Sequence, residues 1–213
     1  MKKILSIAIA ATVFLSFTTL PHEAKKKWIS LFDGKSLNGW KVGANAESFK
    51  VENGMIVVNG NVAHLFYDGD AGQHSFKNFE FKADLMTMPG SNSGIYIHTI
   101  YQESSWPKMG YEVQVNNSHT DWRRTAGLYA VQDVKETYVK DEEWFTMHIK
   151  VEGKRIMVWI NKKLVTDYTE PDDVKREKGM EGRVLSRGTI ALQGHDPKSK
   201  VFYKNIKLKL LPD

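Results

Sequence analysis

The stretch WFTMHIKVEGKRIMVWINKKLV, residues 144–165, decides the fold class. Side chains of an extended chain alternate between two faces, so a period of two marks a strand with one buried side. Phe145, Met147, Ile149 and Val151 fall on one face, with Thr146, His148 and Lys150 opposite. The chain turns at Glu152-Gly153-Lys154 and returns with Ile156, Val158 and Ile160 on the apolar side. The result is a hairpin with an inner and an outer face.

The same pattern continues on both sides of this hairpin. SFKVENGMIVVNG (48–60) holds two short apolar runs around Asn53-Gly54, a dipeptide that tolerates the left-handed backbone of a two-residue hairpin turn. FEFKADLMTM (79–88) alternates Phe79, Phe81, Ala83 and Leu85 against Glu80, Lys82 and Asp84, and stops at Pro89-Gly90. NSGIYIH (92–98), GYEVQV (110–115), TAGLYAVQ (125–132), GTIALQGH (188–195) and KVFYKNIKLKLL (200–211) read as further strands. No stretch keeps a helical period over three turns, and EPDDVKREKGMEG (170–182) reads as charged loop with at most one helical turn. Many short strands in one unit, residues 28–213, predict an all-β fold of two antiparallel sheets packed face to face.

Composition narrows the function classes. The 213 residues are 41% hydrophobic and 26% charged, as expected of a globular chain. MKKILSIAIAATVFLSF has two lysines followed by an apolar run too short for a membrane span, the layout of a secretory signal over residues 1–24. Export to the periplasm or the medium follows, with no membrane partner beyond that segment. With no cysteine, disulfides, thiol catalysis and thiolate metal sites are excluded. The formal charge of +5 comes from the amino terminus, since residues 28–213 carry 25 basic against 24 acidic side chains. A neutral body argues against nucleic acid as a partner.

Four of the strands carry unusual outer faces. In GYEVQV, Tyr111, Val113 and Val115 oppose Glu112 and Gln114; in NSGIYIH, Ile95 and Ile97 oppose Asn92, Gly94, Tyr96 and His98. In TAGLYAVQ, Leu128 and Ala130 oppose Thr125, Gly127 and Tyr129; in GTIALQGH, Ile190 and Leu192 oppose Gln193 and His195. A face chosen for solubility is rich in Lys, Glu and Thr. Aromatics with amides, carboxylate and imidazole suit a sugar, whose C–H groups meet rings and whose hydroxyls pair with amides. The bland alternative is an inert polar layer in which these groups satisfy one another.

LFDGKSLNGW (31–40), NSGIYIH, GYEVQV, TAGLY, EEWFTMHIKVEGKRIMVWINKKLV (142–165) and the closing GTIALQGHD and VFYKNIKLKLL together resemble the bacterial 3-keto-disaccharide hydrolase family. The resemblance runs from Leu31 to Leu211. It implies a concanavalin A-like jelly roll with a glycan cleft on its concave sheet, and an exported enzyme acting on glycosides. One departure is INKKLV, where Lys162 stands in place of the family's turn glycine.

The residues limit the reaction. Conventional glycosidases need two carboxylates flanking the bond, and the glucanases of this fold carry them as an alternating run on one strand. Here that strand offers Glu112, Gln114 and Asn116, so a second carboxylate has to come from a loop, Asp121 or Asp196. Cleavage of a 3-keto glucoside asks for less: a base removes the acidified C2 proton, the C1 substituent leaves by β-elimination, and water adds back. Glu112 is the candidate base and His195 the candidate acid or oxyanion partner. Gln114, Asn92, Tyr96, His98, Tyr129 and Gln193 are the candidate sugar-binding residues.

His98, Glu112 and His195 are chemically able to hold a divalent ion. No close-spaced ligand signature supports that, so a metal-free site is the preferred reading. His22, His64, His74, His119 and His148 read as surface or loop histidines, and Trp106 and Trp122 as the tryptophans best placed for a sugar platform. The competing functions are a non-catalytic carbohydrate-binding module, which needs neither Glu112 nor His195, and a conventional two-carboxylate hydrolase.

Overall fold

A computed structural model describes residues 27–213; the segment read as a signal, with His22, lies outside the described residues. The first strands are β1 (Ile29–Ser30), β2 (Trp40–Val42), β3 (Phe49–Glu52), β4 (Met55–Val58) and β5 (Ala63–Tyr67). The long middle strands are β6 (Phe79–Thr87), β7 (Asn92–Thr99) and β8 (Tyr111–Asn116). Then come β9 (Phe145–Glu152), β10 (Arg155–Ile160), β11 (Lys163–Thr169), β12 (Thr189–Gly194) and β13 (Val201–Leu210). Among the described residues no helix is long and apolar enough to cross a membrane.

The strands form two antiparallel sheets. The larger runs β11-β10-β9-β6-β13-β4-β3 with β1 added against β13, and the smaller runs β2-β5-β12-β7-β8. The opening hairpin pairs as its alternation predicts, Ile149 opposite Val158 and Val151 opposite Ile156. Phe79, Phe81, Leu85, Ile149 and Val158 from the larger sheet meet Leu65, Ile95, Val113 and Leu192 from the smaller, and all are buried in one core. Glu80, Lys82, Thr146 and His148 stay on the outer face, where His148 Nε2 lies 2.9 Å from Glu80. The two-sheet antiparallel sandwich expected from the alternation is the fold.

Two local expectations need correction. TAGLYAVQ is not a strand. Left-handed backbone at Ala126 (φ 75°) and Ala130 (φ 58°) breaks it, although its backbone still bonds along β8 through Gln114 N to Gly127 O and Tyr129 N to Glu112 O. The charged segment 170–182 is loop, as its composition predicts, and lies against the cavity described below. The residues after Ile160 are not the end of a hairpin; they form a third strand, β11, reached through a two-residue turn at Asn161 (φ 47°) and Lys162 (φ 73°).

That turn is braced, since the Asn161 amide oxygen accepts from Thr146 N and its own N–H donates to Thr146 O. Lys162 is held where a side chain is disfavoured by about 1–2 kcal/mol. Lys162→Gly removes that strain, and the melting temperature is expected to rise by roughly 2–4 °C per kcal/mol recovered; an unchanged or lower value in thermal unfolding refutes the strain.

Candidate active site

The smaller sheet is unusual in that both of its faces are buried. β5, β7, β8 and β12 have no exposed residue. One face belongs to the core. The other carries His64, Phe66, Tyr96, Glu112, Gln114, Ala191 and Gln193, and loops fold over it. Register brings these side chains together: Gln193 pairs with His64, Ala191 with both Phe66 and Tyr96, and Tyr96 with Glu112.

Glu112 lies at the centre, 6% exposed. Its Oε2 accepts from the Tyr96 hydroxyl at 2.7 Å and its Oε1 from Gln193 Nε2 at 2.8 Å. Burial pushes its carboxyl above the ordinary value; the bonds from Tyr96 and Gln193 and the charges of Arg183 and His195 pull back without cancelling this. Burial and the Glu112 charge keep the Tyr96 hydroxyl protonated, as a donor must be. The Glu112 side chain packs against Gly94, where a Cβ would stand 2.7 Å from Oε1 and 2.9 Å from Cγ. A glycine in mid-strand is thus the space in which the carboxylate sits.

A cavity of about 240 Å³ opens over this row. Asn92, Tyr96, Glu112, Gln114, Tyr129, Gln193 and His195 all line it, seven of the eight residues singled out from the sequence. His98 is the exception and a correction. Thr189 pairs with Thr99 but Ala191 with Tyr96, so β7 carries an extra residue there, and His98 takes a left-handed backbone (φ 54°). Such a bulge moves the following side chain to the opposite face. His98 therefore points to the far side, its Nε2 2.8 Å from Lys77 O and its Nδ1 accepting from Ser186 N. It holds neither sugar nor metal at this site.

His195 reaches the cavity from the end of β12, with its Nδ1 2.7 Å from Asp196 Oδ2. Burial opposes ionisation of Asp196, but hydrogen bonds from His195, Ser199 and the Lys198 N–H outweigh it and bring the carboxyl down to about 2. An ionised Asp196 makes Nδ1 the donor and leaves Nε2 as the acid–base atom of the ring. His119 packs on His195 with ring centroids 5.5 Å apart, so it is part of the site and not a free loop residue. Ligand atoms of His119, His195 and Asp196 lie within 4.8 Å of one another. Yet His119 Nδ1 accepts from Asp121 N at 3.0 Å, which puts the ring proton on Nε2. A protonated nitrogen does not ligate, and within the trio one hydrogen bond is present, between His195 Nδ1 and Asp196 Oδ2.

The sequence offers Trp106 as a platform and Asp121 as a loop carboxylate, reads His64 as a loop histidine, and does not single out Arg183. Trp106, one of two platform candidates, lines the cavity between His195 (5.3 Å) and His64 (5.7 Å), while Trp122 lies outside it under Arg123. His64 is a buried residue of β5, 4% exposed, and not a loop histidine. Burial, then the charges of Arg183 and His195, lower its pKa to about 3, so it is neutral. Arg183, directly after the charged segment 170–182, is 5% exposed beside Tyr96. Asp121 is the second carboxylate at the cavity, held by the Arg123 N–H.

The profile of the 3-keto-alpha-glucoside-1,2-lyase-like domain matches residues 27–209. No curated protein sequence matches. Among solved structures, a "putative glycosyl hydrolase" from Parabacteroides distasonis ATCC 8503 is similar at 24% identity and TM-score 0.73, covering 87% of this chain and 94% of that one. The carbohydrate-binding module CBM66 from Bacillus subtilis is similar at 13% identity and TM-score 0.53, covering 80% and 95%. A Bacillus subtilis protein with a galectin-like fold has 10% identity and TM-score 0.56, covering 86% and 94%.

Two variants test this geometry. Gly94→Ala is expected to displace the Glu112 carboxylate and to lower turnover at least tenfold with a modest loss of melting temperature; wild-type turnover means that the carboxylate does not need this space. His64 stays neutral in the folded chain down to about pH 3 but protonates near 6.5 when unfolded. The wild type therefore loses stability as pH falls from 6.5 toward 3, and His64→Phe is expected to lose less over that window; parallel melting curves refute this.

Proposed function

The chain belongs to the 3-keto-alpha-glucoside-1,2-lyase-like family, and from that premise we propose that it is a carbohydrate-active enzyme that cleaves 3-keto glucosides by C2 proton abstraction, β-elimination and hydration. The observation that carries this reading is the buried Glu112, bonded by Tyr96 and Gln193 at the cavity floor, with the His195–Asp196 pair at the same cavity.

A ketone at C3 acidifies the C2 proton, so one base suffices to start the reaction. Glu112 is suited to it because burial raises its basicity toward the working pH. Tyr96 and Gln193 orient the carboxylate, and their hydrogen bonds hold it when it is charged. His195, tethered through Nδ1 to Asp196, supplies a proton from Nε2 to the departing C1 oxygen and can then activate the water that adds back. Asn92, Gln114 and Tyr129 offer amides and a hydroxyl to the remaining sugar oxygens. The amino-terminal sequence supports export, to where a glycoside would be met.

The test is release of aglycone from a nitrophenyl 3-keto-glucoside and from its unoxidised parent. Turnover of the keto sugar alone supports the proposal. Turnover of the parent glucoside points instead to Asp121 as a second carboxylate, and binding of both without turnover points to a binding module. Glu112→Gln is expected to abolish keto-sugar cleavage. Because the folded pKa of Glu112 is raised, the wild type loses stability as pH rises through it and the glutamine variant does not. The variant is therefore expected to melt higher than the wild type at pH 8, with the gap closing as pH falls, while wild-type activity rises with pH over the same range. A variant that is inactive and also less stable at pH 8 would mean that Glu112 is structural.

A further inference from the structure

Among the described residues, four buried side-chain nitrogen or oxygen atoms have no hydrogen-bond partner: His64 Nε2, Asn92 Oδ1, Arg183 Nε and Gln193 Oε1. Buried polar atoms are normally paired, and each exception calls for a reason. Here all four belong to one place. Asn92, Arg183 and Gln193 line the cavity, and His64 packs edge-on against its walls Tyr96 and Trp106. Asn92 and Gln193 offer acceptors, which suit sugar hydroxyls. Arg183 Nε–H is a charged donor, which suits an oxygen bearing negative charge.

Arg183 is the costly member. Its guanidinium is buried and forms no ion pair among the described residues. Nη1 donates to two neutral acceptors, Pro107 O at 3.1 Å and Gly110 O at 3.2 Å, which fix the group and leave the Nε edge unused. The guanidinium carbon lies 5.2 Å from the Tyr96 ring centroid, and the hydroxyl of that tyrosine holds Glu112. A buried cation and a buried carboxylate thus flank one tyrosine without touching each other. Lys108 also lines the cavity, but it is exposed and screened by water.

We propose that Arg183 is a catalytic residue of the reaction proposed above, on which this inference rests: its Nε–H binds the C3 oxygen of the sugar and holds the oxyanion formed there. When Glu112 takes the C2 proton, the C–H pair becomes the C2=C3 double bond and the carbonyl π pair moves to the C3 oxygen. The pair then returns, the C3=O bond re-forms, a C1=C2 bond forms and the C1–O bond breaks, with the leaving oxygen taking its proton from His195. In the first step the net charge of Glu112, the sugar and Arg183 together does not change; the negative charge only moves from Glu112 to the oxygen beside Arg183. No charge is created or lost in the low-dielectric interior, which is the arrangement that makes preorganised donors effective.

The experiment compares wild type, Arg183→Ala and Arg183→Lys on a 3-keto glucoside, reading kcat and KM separately, with exchange of the C2 proton in D2O and with added guanidinium chloride. Arg183→Ala is expected to lose about 10²–10³-fold in kcat, by analogy with the loss of one oxyanion donor, and to lose C2 exchange, with part of both restored by guanidinium. Arg183→Lys keeps the charge but not the fork, and is expected to fold and bind normally while recovering only part of kcat. If the wild type turns over and the alanine variant stays within tenfold of it, or if only KM changes, Arg183 merely shapes the pocket and the inference fails alone. If the wild type shows neither turnover nor exchange, the proposed function fails and takes this inference with it.

Discussion

The organising constraint of this molecule is a carboxylate buried in a sheet that is covered on both sides. Glu112 cannot be in the interior at low cost, because burial favours its neutral form. It is tolerated because β7 and β12 present Tyr96 and Gln193 at the positions from which each oxygen receives a hydrogen bond, and because Gly94 clears the space beneath it. The rest of the covered side can be read as the structure needed to keep that arrangement in register.

Two segments provide the cover. The stretch between β7 and β8 crosses the cavity face of the smaller sheet; Tyr101 meets Phe66, Trp106 meets His64, and Glu103 O accepts from Ala44 N beyond the edge strand β2. The segment between β11 and β12 is pinned at both ends through Glu170, which accepts from the Tyr111 hydroxyl and from Leu185 N. Arg176 adds hydrogen bonds to the hydroxyls of Tyr111 and Tyr168. The two segments lock to each other where Gly110 N meets Gly182 O and Arg183 meets Pro107 O. Gly182 is packed so closely on Lys108 O that a Cβ would stand 2.0 Å from it. A small second cluster of Phe66, Tyr96 and Ala191, apart from the main core, marks where this cover packs on the sheet.

This architecture explains why a lectin-like sandwich can hold a catalytic cavity without altering its core. Along β8, Tyr111, Val113 and Val115 serve the sandwich, and Glu112 and Gln114 serve the cavity. Asn116, the third polar residue of that strand, bonds Asp121 O and Arg123 O and shapes the loop that carries Asp121 and His119. Chemistry and stability are thus separated by one residue of alternation, and a single bulge in β7 is enough to move His98 from the first role to the second.

The fold and most of the floor of the site were legible in the sequence, because both are consequences of alternation within strands. Once Ile95, Val113 and Leu192 are assigned to the core, Tyr96, Glu112 and Gln193 must face the other way, whatever the rest of the chain does. The sequence could not say that the far face is covered, because that depends on loops meeting from opposite ends of the sheet. For the same reason Arg183 was not singled out and His119 passed for a loop residue: their partners lie more than seventy positions away, at Pro107, Gly110 and His195. The bulge at His98 was equally hidden, being a matter of register between two strands and not of either strand alone. Local periodicity determined which residues share a face, and only long-range packing decided which of those faces became a cavity and which charges were sealed inside it.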